Sequence, residues 1–261
     1  MKNDLLNKLQ GIHILITRPA DQSKTLESIL SSHGAKVSLF PTIKITENKN
    51  LEDHGDPSIK SLSSSDVIIF ASANAVKFVA PIIVTKKLHL KSCIFAAIGD
   101  ATEKKMKEFG LKSCIRPKSD FNSENLLKLP FFKDVANKKI VIVRGNSGRE
   151  LLSQTLKNRG AHVQYLEAYK REMPKDVCFN IEEYSNPELD LITITSVEIL
   201  HNLIQISDKK SLIEIKKILL IAGNKRIGDE CTNQGFIQKH IIAKNPSDQD
   251  MVEAILDRYK K

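Results

Sequence analysis

Six short segments of this chain carry the residue types that could do chemistry: Thr17-Arg18-Pro19, Ser72-Ala73-Asn74, Gly99-Asp100-Ala101-Thr102, Arg144-Gly145-Asn146-Ser147, Ser196-Val197 and Gly223-Asn224-Lys225. Hydroxyls, amides, glycines and a few basic side chains dominate them. Each follows a short apolar run and leads toward a stretch of helical periodicity. That places it beyond the carboxyl end of a strand, where helix N-termini present unpaired N–H groups. Such turns can donate many hydrogen bonds to an anion. None shows a G-x-G-x-x-G or a Walker lysine pattern, so nucleotide binding is poorly supported. No Ser–His–Asp set, Cys–His pair or close pair of carboxylates accompanies them. If the chain is an enzyme, its reaction must need few protein groups.

Each candidate also has a plainer reading. Ser72, Ser123 and Ser196 can be helix caps. Arg18 and Arg144 can be solvated structural residues, and Asp66 and Asp190, at strand starts, are read as structural. Tyr169 stands in a short charged run and can simply pack where the chain crosses between domains. The four cysteines, Cys93, Cys114, Cys178 and Cys231, lie far apart with no C-x-x-C spacing and are expected to be buried free thiols. The seven histidines are equally scattered, and no metal site is expected.

The elements that must position these groups are revealed by a repeat. Shifting the chain by about 126 positions lays Ile14 on Ile140, Arg18 on Arg144, Leu26 on Leu152, Leu30 on Leu156 and Gly34 on Gly160. A shift of about 124 lays Asp66 on Asp190, Ser72 on Ser196 and Gly99 on Gly223. The repeated unit reads strand, turn, helix, strand. Ile12–Thr17 is an apolar run suited to a buried strand, Leu26, Ile29 and Leu30 fall at helical spacing, and Gly34 ends that helix. Ser72 is expected to cap a helix over Ala75–Ile83 and Ser123 one over Glu124–Phe132. Further strands are expected at Lys112–Ile115 and Gln238–Ile242.

Ten strands alternating with helices imply parallel sheets covered on both faces, and two sheets of five suit 261 residues better than one of ten. The charged, non-helical connections Pro41–Glu47 and Glu167–Pro174 set the partition. Domain A takes 1–40 and 173–261, domain B is inserted as 42–168, and the crossings lie near 41–47 and 167–174.

A formal net charge of +9 favours an acidic partner. With no Trp, 5% aromatic residues and lysines spread along the whole chain, a nucleic-acid surface is not expected, and a small polyanion in a cleft fits as well. A lysine-rich solvated surface is the plainer account of the charge. The N-terminus has no leader-like pattern and no run is long enough to span a membrane, so a soluble, cytoplasmic protein is expected.

Taken together, the segments resemble the uroporphyrinogen-III synthase family. The likeness is carried by Ile16-Thr17-Arg18-Pro19, Asp66–Val76, Ala97–Thr102, Ser123–Leu127, Val143-Arg144-Gly145, Gly160–Tyr169, Thr195-Ser196 and Pro246-Ser247-Asp248. Each is weak alone; in this order, nearly end to end, the set is specific. The resemblance implies two similar α/β domains, each a five-stranded parallel sheet flanked by helices, joined by a two-stranded linker with a cleft between them.

It also implies a cofactor-free hydro-lyase with no metal, acting on hydroxymethylbilane, a linear tetrapyrrole with eight carboxylates. Loss of the terminal hydroxyl as water gives a cation that the pyrrole nitrogen stabilises. Ring D is attacked at its substituted position, passes through a spiro intermediate and is reattached inverted, giving uroporphyrinogen III for haem synthesis. The linear substrate also closes without inversion, to the wrong isomer. Catalysis would then be mainly positioning, with one acid adding roughly 10²–10⁴-fold.

Tyr169 matches the family tyrosine proposed as that acid, since a phenol is protonated at neutral pH. Ser72, Thr102 and Ser196 match cleft positions that would bind carboxylates. Arg18, Ala73, Asn74, Gly99, Arg144 and Val197 belong to the same substrate-binding set. The segment Gly223-Asn224-Lys225-Arg226 stands where the family more often has small hydroxyl residues, and Lys225 or Arg226 would pair with a carboxylate instead. A monomer is implied, in transient contact with the preceding deaminase. The competing class is a non-catalytic bilobal binding protein for a small polyanion.

Overall fold

A computed structural model describes residues 7–48, 51, 57–85, 90, 93–111, 114–119, 121–148, 150–184 and 188–259. The chain divides into two compact units, 1–44 with 172–261, and 45–171. It opens with β1 (His13–Ile16), α1 (Ala20–Ser32) and β2 (Lys36–Leu39). The inserted unit follows with β3 (Lys44–Glu47), α2 (Pro57–Ser63), β4 (Val67–Phe70), α3 (Ala73–Thr85), β5 (Ile94–Ala97) and α4 (Asp100–Glu108). It is completed by β6 (Cys114–Ile115), α5 (Ser123–Lys128), α6 (Pro130–Lys133), β7 (Lys139–Gly145), α7 (Leu151–Asn158) and β8 (His162–Glu172). The chain then adds β9 (Leu191–Ile194), α8 (Val197–Ile206), α9 (Lys209–Ile215) and β10 (Leu219–Ala222). It ends with α10 (Lys225–Asn233), β11 (Ile241–Ile242) and α11 (Asp248–Arg258).

One sheet has five strands in the order β11-β10-β9-β1-β2, and the other has six in the order β3-β8-β7-β4-β5-β6. The expectation of five strands per sheet therefore fails for the second. The extra member is β3, from a stretch read as a connection, which hydrogen-bonds along β8 at the sheet edge. The described registers of β1, β2, β9, β10 and β11, and of β4 to β8, are all parallel.

Helices cover both faces of the six-stranded sheet, which is why its strands are runs of Val, Ile and Phe without alternation. Val67, Ile69, Ile140 and Ile142 pack with Leu126, Phe132, Leu152 and Leu156. The alternate residues Ile68, Phe70, Val141 and Val143 pack with Val76, Val79 and Met106 in a second cluster. In the five-stranded sheet Ile14, Ile16, Leu191 and Ile221 pack with Leu26, Leu30, Met251 and Ile255.

The repeat is visible in the hydrogen bonds. Asp66 accepts from the N–H of Lys139 at 2.7 Å and gives its own N–H to the Lys139 carbonyl at 2.8 Å. Its counterpart Asp190 treats His13 in the same way, at 2.8 and 3.0 Å. Each carboxylate thus ties the start of one strand to its neighbour. Gly34 and Gly160 end the equivalent helices α1 and α7 at φ +89° and +84°, a conformation that costs glycine little.

Several local expectations are corrected. The helix expected over Glu124–Phe132 is two, because Pro130 supplies no N–H and starts α6 afresh. Its cap is Asn122, whose side chain accepts from Asn125 N–H at 2.8 Å, and Ser123 is the first helical residue. The strand expected at Gln238–Ile242 is confined to Ile241–Ile242. That at Lys112–Ile115 is seen at Cys114–Ile115, the two residues before it lying outside those described. Cys231 is buried, but Cys93 and Cys114 are half-buried and Cys178 is exposed. Burial pushes the Cys114 thiol up to about 11 and that of Cys231 to about 12, so both are protonated at neutral pH.

Candidate active site

The sheet of the inserted unit brings Ser72, Arg144 and Tyr169 onto one cavity of about 210 Å³, lined also by Ser123, Ser147 and Tyr165. Ser72 follows β4 and caps α3, accepting from the N–H of Ala75 at 3.1 Å. A serine before a helix does this well because its short side chain folds back on the first turn. Ala73 and Asn74 are then the first two residues of α3.

Tyr169 reaches the cavity through an irregularity in β8. Arg144 pairs with Glu167, but Gly145 pairs with Tyr169, so Ala168 is an extra residue. Simple alternation would place Tyr169 on the face of Val163, Tyr165 and Glu167. The bulge puts it instead with Leu166 and Ala168 in the opposite core cluster, where the residue is 5% exposed. Its ring lies on Gly145, where an added Cβ would approach Cε2 to 2.7 Å. Phe78 of α3 stacks with the same ring at 5.9 Å between centroids. The phenol oxygen is 3.0 Å from Ser72 Oγ.

Arg144 is held within its own loop. Its guanidinium lies 4.4 Å over the Tyr165 ring, pairs with Glu150 at 3.0 Å, and donates to the carbonyls of Gly145 and Gly148 at 3.2 Å. Hydrogen bonds from Tyr165 and then Arg144 hold the Glu150 carboxyl below its ordinary range. Gly99 precedes α4 in extended conformation, and a side chain there would press on Phe121 at 3.0 Å. Thr102 lies in the first turn of α4 and is buried, rather than in a loop before the helix. The acidic first turn would repel an anion. Arg116 offsets this by pairing with Asp100 at 3.0 Å and Glu103 at 2.7 Å.

The remaining candidates belong to the other unit. Arg18 is buried, at 7% exposure, and pairs with Asp248 at the start of α11. Ser196 caps α8 through the N–H of Ile199 at 3.2 Å, and Val197 is the first residue of that helix. Lys225 is exposed and pairs with Asp229 at 2.9 Å. The helix there is capped by Asn224, which accepts from Ile227 N–H at 3.1 Å. Shifting back by about 126 from Tyr169 gives Ile43, which is buried, so only one copy of the repeat carries a phenol.

Gly145, Phe78 and Tyr165 carry no role of their own in the sequence reading. Phe78 and Tyr165 look like ordinary packing residues at their spacings, and Gly145 stood in a loop segment without a role. Among the described residues no group of three or more His, Cys, Asp or Glu could hold a metal ion, and no helix is long and apolar enough to cross a membrane.

A family model described as uroporphyrinogen-III synthase HemD matches residues 24–253. A protein named uroporphyrinogen-III synthase from Escherichia coli is 30% identical over 197 residues, covering 73% of this chain and 78% of the relative. One of the same name from Synechococcus elongatus is 29% identical over 202 residues, covering 76% and 75%. In fold, the chain is similar to a mutant uroporphyrinogen III synthase from Thermus thermophilus, with a TM-score of 0.62 at 17% identity over 95% of this chain and 98% of that one. A uroporphyrinogen-III synthetase from Helicobacter pylori gives a TM-score of 0.59 at 15% identity, covering 95% and 99%.

Proposed function

We infer the activity from one premise: this chain belongs to the uroporphyrinogen-III synthase family. Its function is uroporphyrinogen-III synthesis, a step of tetrapyrrole formation, and it is a lyase. The observation that carries this is the family match across residues 24–253. The proposed substrate is hydroxymethylbilane, closed with inversion of ring D and loss of water. The net change is a dehydration with no change in oxidation state, so no redox partner is needed.

The residue roles are our proposal. Tyr169 gives its phenol proton to the departing hydroxyl, and its place on the cavity wall supports that reading. The N–H groups at Ser72-Ala73-Asn74, at Gly99 and at Ser196-Val197 receive substrate carboxylates, with the Thr102 and Ser196 hydroxyls. Arg18 and Arg144 already hold carboxylates of this chain, so they would reach the substrate only by exchanging Asp248 and Glu150. Lys225, exposed and paired with Asp229 of its own helix, would meet a substrate carboxylate by leaving that pair. We carry the division into domain A, 1–40 with 173–261, and domain B, 42–168, into this proposal, together with a cytoplasmic monomer in transient contact with the preceding deaminase.

The test supplies freshly made hydroxymethylbilane and separates the product isomers. A type III fraction equal to that of the protein-free control would remove the enzyme reading. With Tyr169→Phe, a loss of roughly 10²-fold is expected with the melting temperature retained.

A further inference from the structure

Ser72 has two hydrogen-bond relations, and together they give it a task that helix capping alone does not require. Its Oγ accepts the N–H of Ala75 in the first turn of α3 at 3.1 Å, and it lies 3.0 Å from the phenol oxygen of Tyr169. A serine hydroxyl has one proton to donate. While Tyr169 is neutral, either hydroxyl can be the donor. Once Tyr169 has lost its proton, only one arrangement remains: Ser72 donates to the phenolate, and the Ala75 N–H polarises Ser72. The thirteen-residue α3 places the positive end of its dipole at that point. Gly145 beneath the ring and Phe78 beside it keep the phenol oxygen within reach.

We propose that Ser72 is a positioning residue for Tyr169, its hydroxyl passing the N-terminal hydrogen bond of α3 onto the phenol oxygen rather than binding the substrate itself. This rests on the reading of Tyr169 as the acid. In the step it serves, the proton moves from Tyr169 Oη to the departing hydroxyl. The C–O bond breaks with its electron pair on oxygen, and water leaves. The ring carbon that closes the macrocycle then gives up its proton, which returns to the phenolate. Ser72 stabilises the anion between those two events. A hydrogen bond to a charged group is among the stronger ones, and here it forms only as charge develops.

The test measures single-turnover rate, KM and type III fraction for Ser72→Ala, Ser72→Asp and Ser72→Thr, with Tyr169 intact and in the Tyr169→Phe background. Ser72→Asp keeps the helix cap but has no proton to donate, so it separates lost donation from a frayed helix. Alanine should lower the rate about 10- to 100-fold with KM within about twofold, and aspartate should lower the rate at least as far while its added charge also raises KM for a polyanion. Threonine should restore most of the rate. In the Tyr169→Phe background Ser72→Ala should cost less than about twofold more, because residues acting as a unit are not additive. An equal loss in both backgrounds, or a raised KM at unchanged rate, overturns the proposal alone. A Tyr169→Phe enzyme at full rate overturns the acid reading, and this inference with it.

Discussion

The ring of Tyr169 occupies the space that a side chain at Gly145 would need: an added Cβ would lie 2.9 Å from Cζ as well as against the ring edge. The two residues face each other across β7 and β8 because of the extra residue Ala168. The glycine is therefore part of the seat of the phenol.

Gly145→Ala should displace the ring and leave the fold otherwise intact. A shift of about 1 Å in a reacting group can cost about 10²-fold in rate, and a loss of that order is expected in type III formation. Combined with Tyr169→Phe, the alanine should add little. A double variant much slower than Tyr169→Phe would assign Gly145 to substrate binding instead.

Asp66→Ala and Asp190→Ala should each lower stability by about 1 kcal/mol, since each removes a carboxylate hydrogen bond to a neighbouring strand. The two residues lie in different units, so their effects on denaturation should add. Neither should change KM.

His240 sets an acid limit. Both its ring nitrogens are buried without a hydrogen-bond partner among the described residues, and burial holds it below its ordinary value of 6.5. The unfolded chain therefore binds this proton more readily than the folded one. Its contribution to stability is complete above about pH 6.5 and is lost as pH falls from there toward the depressed folded value. His240→Gln should flatten that acid slope in urea titrations. An unchanged slope would assign the acid loss to other groups.

Lys225→Ala should leave the melting temperature almost unchanged, because an exposed helix pair such as that with Asp229 contributes at most about 0.5 kcal/mol. If the lysine meets a substrate carboxylate, KM should rise several-fold at low ionic strength, and the difference should shrink as salt screens the charge. An unchanged KM at low salt would take Lys225 out of the site.

Much of the fold was legible because strand interiors and caps have local chemistry. Ile12–Thr17 could only be buried, and Ser72 and Ser196 sit where a helix start needs an acceptor. The pairing of β3 with β8 agrees with the expected two-stranded linker. Its membership in the sheet was not legible, because Lys-Ile-Thr-Glu has no apolar run and joins only by adding to the edge of β8. Asn122 and Ser123 are adjacent and both good caps, and only the backbone decides between them. In the site, Tyr169 was readable from family likeness, but its inward orientation depends on pairing with β7 across the bulge. Nothing in the spacing of Phe78 or Gly145 tells that they share one ring.

The discontinuous unit has a consequence on the ribosome. Its sheet places β1 between β9 and β2, so the N-terminal strand waits for Leu191–Ile194 to be made before both its edges are paired. At about 5–20 residues per second, that interval is roughly ten to thirty seconds. During it the inserted unit, 45–171, emerges whole and can fold, while the fully buried run His13–Ile16 has one open edge. An apolar strand left unpaired for that long is a binding site for holdase chaperones and a starting point for aggregation. Slowing translation before Leu191 should therefore lower the soluble yield of this protein more than slowing it after Ile194.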